Sequence, residues 1–202
     1  MLGKRIFDIF FSFFALTLGA PFFLICALAV KLSSRGPIFY AHPRVGCKGK
    51  SFGCLKFRTM YLNADAKLQP LLASDPVLMQ EWKTYFKLKE DPRITPIGKF
   101  LRKTSLDELP QIWNVFKGDM SVVGPRPLTE HEVVHYLKEK APKILSVRPG
   151  LTTLWIIQGR NRLSLEARIE LEEYYVSNRT FWLDCKLIIQ TLLLMIFPKG
   201  AY

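Results

Sequence analysis

The sequence is short of the residues on which several classes of protein depend. Its 202 residues include only 4 cysteines and 3 histidines, and no Cys-x-x-Cys pair occurs. Four scattered cysteines in a chain of this length do not resemble a dense disulfide framework, so reduced thiols in a cytosolic setting are expected. Internal repeats, low-complexity tracts and nucleic-acid-binding motifs are also absent. A disulfide-rich module is therefore disfavoured.

Acidic residues are scarce as well. The chain has 17 Asp and Glu against 29 Lys and Arg, which gives a formal charge of +12. Such a balance favours a polyanionic neighbour, although charge alone does not choose among phospholipid headgroups, nucleic acid and phosphorylated substrates. With 49% hydrophobic residues, the chain is long enough to bury one core. We expect one catalytic unit with a membrane anchor.

One long segment lacks charge altogether. Ile9 to Val30 is a run of 22 uncharged residues, which as a helix of ~1.5 Å per residue would just cross a hydrocarbon core of ~30 Å. A signal peptide is disfavoured because its apolar region has only ~7–15 residues. Basic residues stand on both sides of the run, so the positive-inside rule favours a cytoplasmic location for both ends.

The middle of this segment contains Gly19-Ala20-Pro21. Proline lacks an amide donor and crowds the preceding turn, so two half-helices meeting at Pro21 would form a wedge in one leaflet. A straight but kinked span fits the same residues. From the residues alone, these two alternatives stay open.

The rest of the chain predicts a small catalytic domain over residues 36–202, after an anchor over residues 1–35. A strand hairpin is expected around Gly46 and Gly49, and residues 61–92 predict two helices separated at Asp75-Pro76. Residues 181–197 are apolar but interrupted by charge, which is typical of an interfacial helix.

Two adjacent carboxylates are candidates for the chemistry. Ser105 is expected to open a helix that carries Asp107 and Glu108 in its first turn. Amide donors at a helix start favour anions, so a carboxylate or a bound phosphate is stabilised there. Both carboxylates reach one divalent cation only if this helix end faces a cleft.

Basic residues recur at loops and bends rather than along helix faces. Prolines or glycines beside several of them restrict the backbone, and preorganised guanidinium groups suit phosphate oxygens. A carboxylate pair among such groups suits Mg²⁺ bridging a diphosphate. The basic candidates for substrate binding are Lys56, Arg58, Arg102, Arg126, Arg148 and Arg160.

Several long motifs, in order along nearly the whole chain, resemble the bacterial sugar transferases known as monotopic phosphoglycosyl transferases. They are Lys4-Arg5-Ile6-Phe7-Asp8, Lys56-Phe57-Arg58-Thr59-Met60, Arg102-Lys103-Thr104-Ser105-Leu106-Asp107-Glu108-Leu109-Pro110-Gln111, Asn114-Val115-Phe116-Lys117-Gly118-Asp119-Met120-Ser121, Val123-Gly124-Pro125-Arg126-Pro127 and Arg148-Pro149-Gly150.

The resemblance implies a small, helix-rich α/β domain resting on the inner leaflet of the bacterial cytoplasmic membrane. It also implies a reentrant membrane helix broken at Pro21, with both ends in the cytoplasm. Residues 61–92 are similar to the longer insertion of hexose-1-phosphate-transferring members. The additional amino-terminal spans of many such members are not expected here.

The resemblance implies a reaction in two steps. Asp107 attacks the sugar-linked phosphate of a UDP-sugar, releases UMP and holds the phosphosugar covalently, and undecaprenyl or another polyprenyl phosphate then accepts it. Glu108 acts as metal neighbour or base, Mg²⁺ is the cofactor held by Asp107 and Glu108, and Arg102 and Arg126 bind phosphate. This reaction begins the assembly of glycans such as exopolysaccharides.

The sequence departs from the family pattern after Arg148-Pro149-Gly150. Thr153 replaces a glycine, and Ile156-Ile157-Gln158 replaces Gln-Val-Ser. A β-branched residue does not follow glycine into positive φ, so the nucleotide or sugar pocket is expected to differ here. Ala20 also stands before Pro21 where the family commonly has serine.

Two other readings compete. His131, Glu132 and His135 match H-E-x-x-H, the pattern of a zinc protease, for which Glu166 or Glu170 would have to supply a third ligand. A non-catalytic basic adaptor on anionic lipid is the rival from another class. No pattern selects the sugar, although a hexose is favoured, and the apolar C-terminal helix offers either a second membrane contact or a homo-oligomer interface.

Overall fold

A computed structural model describes residues 2–85, 88–158 and 163–196 of the protein. The described chain is rich in helix and contains two small two-stranded sheets, which confirms the α/β class. It divides into two compact units. The first comprises Met1–Ala20, Ala41–Leu55 and Pro110–Tyr202, and the second comprises Pro21–Tyr40 and Lys56–Leu109. The predicted division into residues 1–35 and 36–202 separates membrane anchor from catalytic part and stays a prediction.

The N-terminal helix α1 runs from Leu2 to Ser33 with Pro21 inside it. The expected separation into two helices at Pro21 is not found, because helix continues on both sides of the proline. Proline's fixed φ suits a helix, and its cost there is one lost backbone hydrogen bond and crowding of the preceding turn. The reentrant course in a membrane stays a prediction.

Most of the apolar side chains of α1 face outward. The helix is long and apolar enough to cross a membrane, and only 11% of its most apolar window is buried within the protein, unlike the core helix of a soluble domain. Large exposed side chains on it are Leu2, Ile6, Ile9, Phe10, Phe13, Phe14, Leu18, Phe22, Leu24, Ile25, Leu28 and Leu32. Such a surface indicates membrane association.

Polar side chains fix the first turns of α1 within the first unit. Asp8 is buried, and its Oδ1 accepts hydrogen bonds from Ser121 Oγ and the Val122 amide, both at 3.0 Å. Arg5 donates to the carbonyls of Val115 at 2.6 Å and Phe116 at 2.7 Å. These bonds satisfy groups that would otherwise be buried without partners.

The predicted hairpin is confirmed. Strand β1 spans Phe39–Val45, strand β2 spans Ser51–Phe57, and the two pair with each other. A short 3-10 turn, Cys47–Gly49, connects them, with Lys48 at φ 58° and Gly49 at φ 77°. Glycine tolerates this left-handed backbone without strain, which explains its place at the tip.

A parallel strand pair lies in the core of the first unit. Strand β3 (Ser121–Val123) pairs with β4 (Gly150–Thr152) in the register Ser121 to Gly150 and Val123 to Thr152. Buried apolar side chains of the pair and of its neighbours form one core cluster: Cys54, Val115, Met120, Val122, Val123, Leu154, Tyr175 and Leu187.

The first unit contains further helices. They are α5 (Gln111–Lys117), α6 (Glu130–Glu132), α7 (Ala141–Ile144), α8 (Leu154–Gln158), α9 (Leu165–Asn178) and α10 (Phe181–Ile196). The segment after Thr129 is not a uniform helix, because α6 passes into a π-helical turn, Val133–Leu137, and then a 3-10 turn. Helix α10 confirms the predicted C-terminal helix, whereas its interfacial location stays a prediction.

The second unit contains α2 (Ala64–Ser74), α3 (Pro76–Tyr85) and α4 (Pro96–Thr104). The two helices predicted for residues 61–92 are therefore confirmed. Asp75 caps α3 as expected, since its Oδ1 accepts from the Val77 amide at 2.8 Å. The core of this unit is formed by Cys26, Val30, Phe57 and Leu101.

Candidate active site

Asp107 and Glu108 lie in a 3-10 turn, Leu106–Glu108, directly after α4. The expectation that Ser105 opens a helix is confirmed in part, because Ser105 is the N-cap of this 3-10 turn but not of an α-helix. Ser105 also ends α4 with a left-handed backbone at φ 59°, its amide donates to the Arg102 carbonyl at 3.2 Å, and its side chain caps nothing. The next α-helix begins only at Gln111. The two carboxylates are thus held by a single 3-10 turn.

Asp107 is buried, with 9% of its surface exposed. Burial raises the pKa of Asp107 above its usual range, and the Glu108 carboxylate raises it further, whereas Lys56 and Arg102 lower it. A desolvated carboxylate needs nearby cations to remain ionised. Lys56 and Arg102 therefore partly offset the effect of burial on the pKa of Asp107.

Lys56 lies near the end of β2 and reaches the acidic turn. Its Nζ forms an ion pair of 2.6 Å with Glu108 Oε1. Because about half of the Glu108 side chain is exposed, this pair contributes little to stability. The pair keeps the Lys56 ammonium group near the Asp107 carboxylate, whose pKa Lys56 lowers.

Arg102 lies in the last turn of α4, and its Nε donates to Thr59 Oγ1 at 2.8 Å. Burial lowers the pKa of Arg102, and the carboxylates of Asp107 and Asp91 oppose this shift. The guanidinium group therefore stays charged beside the acidic turn. The second unit thus brings Lys56, Arg102, Asp107 and Glu108 together.

Arg58 makes structural contacts with the end of α1 rather than with the acidic turn. It is 6% exposed, and its Nη2 donates to the Ser34 carbonyl at 2.7 Å and Ser34 Oγ at 2.9 Å, with a longer bond to Val30. It thereby satisfies carbonyl groups at the end of α1. Its Nε and Nη1 have no hydrogen-bond partner in the described chain. Substrate binding by Arg58 stays a prediction.

The other predicted arginines belong to the first unit or lie outside the described residues. The Arg126 guanidinium lies 5.6 Å from the centre of the Trp155 ring, and Arg148 Nε donates to the Gly118 carbonyl at 2.7 Å. Both side chains are exposed. Arg160 lies outside the described residues, so its predicted role is untested.

Two glycines hold the loops of Arg126 and Arg148 together. A Cβ on Gly150 would clash with the backbone of Gly124, and a Cβ on Gly124 would lie 2.5 Å from the Arg148 carbonyl oxygen. Backbone bonds cross the same contact, including one of 2.7 Å from the Gly150 amide to the Pro125 carbonyl. These motifs therefore need glycine for close approach of two backbones.

Glu172 is a buried acid beside the Arg126 loop that the sequence alone did not single out. Its Oε1 accepts from the Arg126 amide at 2.9 Å, whereas its Oε2 and the buried hydroxyl of Thr153 have no partner in the described chain. Burial raises the pKa of Glu172 to about 7, although the Arg126 amide and charge oppose the shift. Thr153 and Trp155 lie close enough to lower this pKa without making hydrogen bonds of good geometry.

The H-E-x-x-H residues do not form a metal site. Glu132 Oε2 accepts from the Thr129 amide at 2.7 Å and from Arg44 at 3.0 Å, so it completes a capping box. The His131 and His135 rings stack with centroids 4.0 Å apart. Among the described residues, no group of three or more His, Cys, Asp or Glu is placed to hold a metal, and neither Glu166 nor Glu170 supplies a third ligand. The zinc-protease hypothesis therefore gains no support.

Sequence reasoning missed the residues that support the site rather than form it. Thr59 and Asp91 are examples: Thr59 binds Arg102, and Asp91 forms a buried pair with Arg93 at 2.6 Å. Arg93 also donates to the Ala64 carbonyl at 3.3 Å and so holds the start of α2. In the sequence, Pro92 after Asp91 indicates an interruption of regular structure but not the pairing of Asp91 with Arg93.

A buried carboxylate whose pKa two nearby cations lower defines a class of site, one suited to the transfer of a phosphate-bearing group. The model of the bacterial sugar transferase family matches residues 1–198. The chain belongs to the bacterial sugar transferase family.

Individual relatives agree with the family match. An uncharacterized sugar transferase of Haemophilus influenzae is 45% identical over 199 residues, covering 98% of this chain and 42% of the relative. Undecaprenyl-phosphate galactose phosphotransferase of Salmonella typhimurium is 44% identical over 98% of this chain and 41% of its own length. The exopolysaccharide production protein ExoY of Sinorhizobium fredii is 44% identical over 100% of this chain and 88% of its own. The chain therefore spans about two fifths of the first two relatives.

Proposed function

We propose that this protein transfers a hexose-1-phosphate from a UDP-sugar to undecaprenyl or another polyprenyl phosphate and releases UMP. The observation that carries the proposal is the buried Asp107 carboxylate, flanked by Lys56 and Arg102 in a motif of the sugar transferase family. Relatives named for undecaprenyl-phosphate galactose phosphotransferase and UDP-galactose-lipid carrier transferase support both partners.

In the first step, a carboxylate oxygen of Asp107 attacks the sugar-linked phosphorus of the donor. An Asp107–O–P bond forms, the bond between phosphorus and the bridging oxygen breaks, and that oxygen leaves with UMP. In the second step, a phosphate oxygen of the polyprenyl phosphate attacks the same phosphorus. The Asp107–O–P bond breaks, which gives the polyprenyl diphosphate sugar and restores the carboxylate.

The cations around Asp107 serve both binding and charge compensation. Lys56 and Arg102 lower the pKa of the burial-shifted Asp107 and so favour the nucleophilic, ionised form. The same side chains offset negative charge on the transferring phosphoryl group. Glu108, which is held by Lys56 at 2.6 Å, lies next to the nucleophile as metal neighbour or base.

The donor set of the acidic turn fits Mg²⁺. This ion typically takes one or two protein carboxylates and completes its shell with water and substrate phosphates. Asp107 and Glu108 supply two adjacent carboxylates in the turn Leu106–Glu108 and would hold the ion together with a diphosphate. Bound there, Mg²⁺ would neutralise phosphate charge. Phosphate contacts by Arg58, Arg126 and Arg148 are proposed on the family motifs, and a contact by Arg160 is proposed on its place after Gly159 in the sequence.

We place the protein on the cytoplasmic face of the bacterial inner membrane, with α1 as a reentrant anchor and membrane lipids as partners. The exposed apolar length of α1 and the basic charge of +12 support this location. Helix α10 exposes Phe181, Trp182, Ile189, Leu192 and Leu193, a surface for lipid or for a second copy of the chain.

The reaction is tested by UMP release from detergent-purified protein given Mg²⁺, undecaprenyl phosphate and each of several UDP-hexoses. We expect UMP with at least one donor and a loss of at least about a thousandfold in Asp107→Asn, as for other enzymes that lose a nucleophile. Asp119→Asn is the matched control on a partly exposed aspartate. UMP release that persists in Asp107→Asn would contradict the proposal, and loss of turnover with intact membrane binding excludes a non-catalytic adaptor.

A further inference from the structure

The hydroxyl of Thr59 accepts a hydrogen bond from Arg102, a side chain that borders the acidic turn. Thr59 is the second residue after β2 and is 7% exposed. Arg102 Nε is 2.8 Å from Thr59 Oγ1, and this is the one hydrogen bond that the guanidinium makes in the described chain. A single buried hydroxyl therefore sets the direction of the Arg102 side chain.

The backbone of Thr59 also contacts the start of α4. The Thr95 amide donates to the Thr59 carbonyl at 3.0 Å, and Thr95 Oγ1 caps α4 at the Gly98 amide with 2.9 Å. A Cβ on Gly98 would clash with the Thr59 carbonyl. Thr59 thus contacts both ends of α4, because Thr95 and Arg102 lie seven residues, about two turns, apart on one face.

This double contact restricts the guanidinium. A free arginine side chain loses rotamer entropy when it binds a ligand. With Nε bonded to Thr59, the plane of the guanidinium is fixed and its Nη groups remain available to a ligand. Two Nη donors in a fixed plane suit a phosphate group of the donor diphosphate.

We propose that Thr59 is a positioning residue that holds the Arg102 guanidinium for a phosphate group of the sugar nucleotide. The inference rests on the proposed function and deepens it, because it names how one phosphate contact is preorganised. Thr59 itself touches no substrate in this account. Its effect passes entirely through Arg102.

The test is steady-state UMP release by full-length protein in detergent, with KM for the UDP-sugar and kcat measured separately. Thr59→Val keeps the shape and removes the acceptor, and we expect kcat/KM to fall about tenfold, mostly through KM. Thr59→Ser restores the hydroxyl and is expected to remain within about threefold of the wild type. Thr104→Val removes an exposed hydroxyl bonded to the Phe100 carbonyl of the same helix and should change nothing.

A double-mutant cycle separates positioning from a general loss of structure. In an Arg102→Gln background, Thr59→Val should cost nothing further, because the group through which it acts is gone. Additive losses would overturn the inference. If Thr59→Val fails to fold, Arg102→Lys takes its place in the test. This variant keeps the positive charge but lacks Nε, and it should reproduce the rise in KM.

The outcomes distinguish this inference from the proposed function. UMP release by the wild type with unchanged kinetics in Thr59→Val overturns the positioning role alone. No UMP from the wild type with any donor overturns the proposed function, and the positioning role with it. A rise in KM that Thr59→Ser reverses and Arg102→Gln abolishes supports both.

Discussion

At the residue scale, the two most informative carboxyl groups differ in how their charge is offset. Burial raises the pKa of both Asp107 and Glu172. Lys56 and Arg102 oppose the shift at Asp107. At Glu172 the Arg126 amide and charge oppose it, but Oε2 has no hydrogen-bond partner in the described chain. An acid with cations beside it is suited to act as an anion. One with an unpaired buried oxygen is held closer to neutrality.

Glu172 predicts a dependence of stability on pH. Its pKa is about 7 in the folded chain against 4.5 for an ordinary glutamate, so the folded state favours its protonated form. The resulting stability is fully present below pH ~4.5 and is lost as pH rises through ~7, by at most ~3 kcal/mol. Glu172→Gln keeps an acceptor for the Arg126 amide and should flatten this loss.

The measurement is the unfolding temperature of wild type and Glu172→Gln between pH 5 and 8. We expect the variant to gain several degrees relative to wild type at pH 8 and little at pH 5. Glu173→Gln is the control one residue along α9, because Glu173 is partly exposed and its pKa is lowered by hydrogen bonds to Lys143 and Lys140. Equal pH profiles of wild type and Glu172→Gln would show that Glu172 is ionised normally.

At the element scale, the close approach of β3 and β4 makes the glycines at their ends sensitive positions. Gly150→Ala places a methyl group against the Gly124 backbone, which cannot move as a flexible side chain would. We expect a loss of at least ~1–3 kcal/mol, seen as a lowered unfolding temperature of the first unit. Gly3→Ala, where a Cβ meets nothing within 4 Å, is the control. An unchanged unfolding temperature in Gly150→Ala would contradict the contact.

Local elements were predictable where one signal dominated. Hydrophobic alternation and the two glycines gave the β1–β2 hairpin, and Asp75-Pro76 gave the junction of α2 and α3. The acidic turn was predicted as a helix start and is a single 3-10 turn, because Ser105 also ends α4 with a left-handed backbone. Long-range pairings such as Asp8 with Ser121 leave no local periodicity and were not predictable.

The candidate site was also predictable only where the residues themselves formed a pattern in the sequence. Lys56, Arg102, Asp107 and Glu108 were predicted and are brought together by the second unit. Thr59 was visible only as part of a motif, because its role depends on a contact with a residue 43 positions away. Glu172 had no sequence signal, since burial of one acid among several on α9 follows from packing alone.

The course of α1 in the membrane gives another prediction. If the helix is reentrant, both of its ends lie in the cytoplasm. Gly3→Cys and Arg35→Cys, in a background with the native cysteines replaced by serine, should both react with an impermeant maleimide only in inverted membrane vesicles. Labelling of Gly3→Cys in intact spheroplasts, with Arg35→Cys protected, would identify a full span instead.

At the scale of the whole molecule, family, charge and membrane helix agree on one kind of chemistry. The chain belongs to the bacterial sugar transferases, carries a formal charge of +12 and has a helix long enough to cross a membrane. A basic protein at an anionic membrane surface is well placed to meet a phosphorylated lipid and a nucleotide sugar. The proposed reaction uses both.

The most direct test of the central proposal is the intact mass of the protein after incubation with a UDP-hexose and Mg²⁺ in the absence of polyprenyl phosphate. We expect a covalent adduct with the mass of one hexosyl phosphate less water, located on Asp107 by peptide mapping. The adduct should be missing in Asp107→Asn and should disappear when undecaprenyl phosphate is added. An unmodified wild type that nevertheless releases UMP as soon as the acceptor is supplied would contradict it, and would indicate direct transfer between the two substrates.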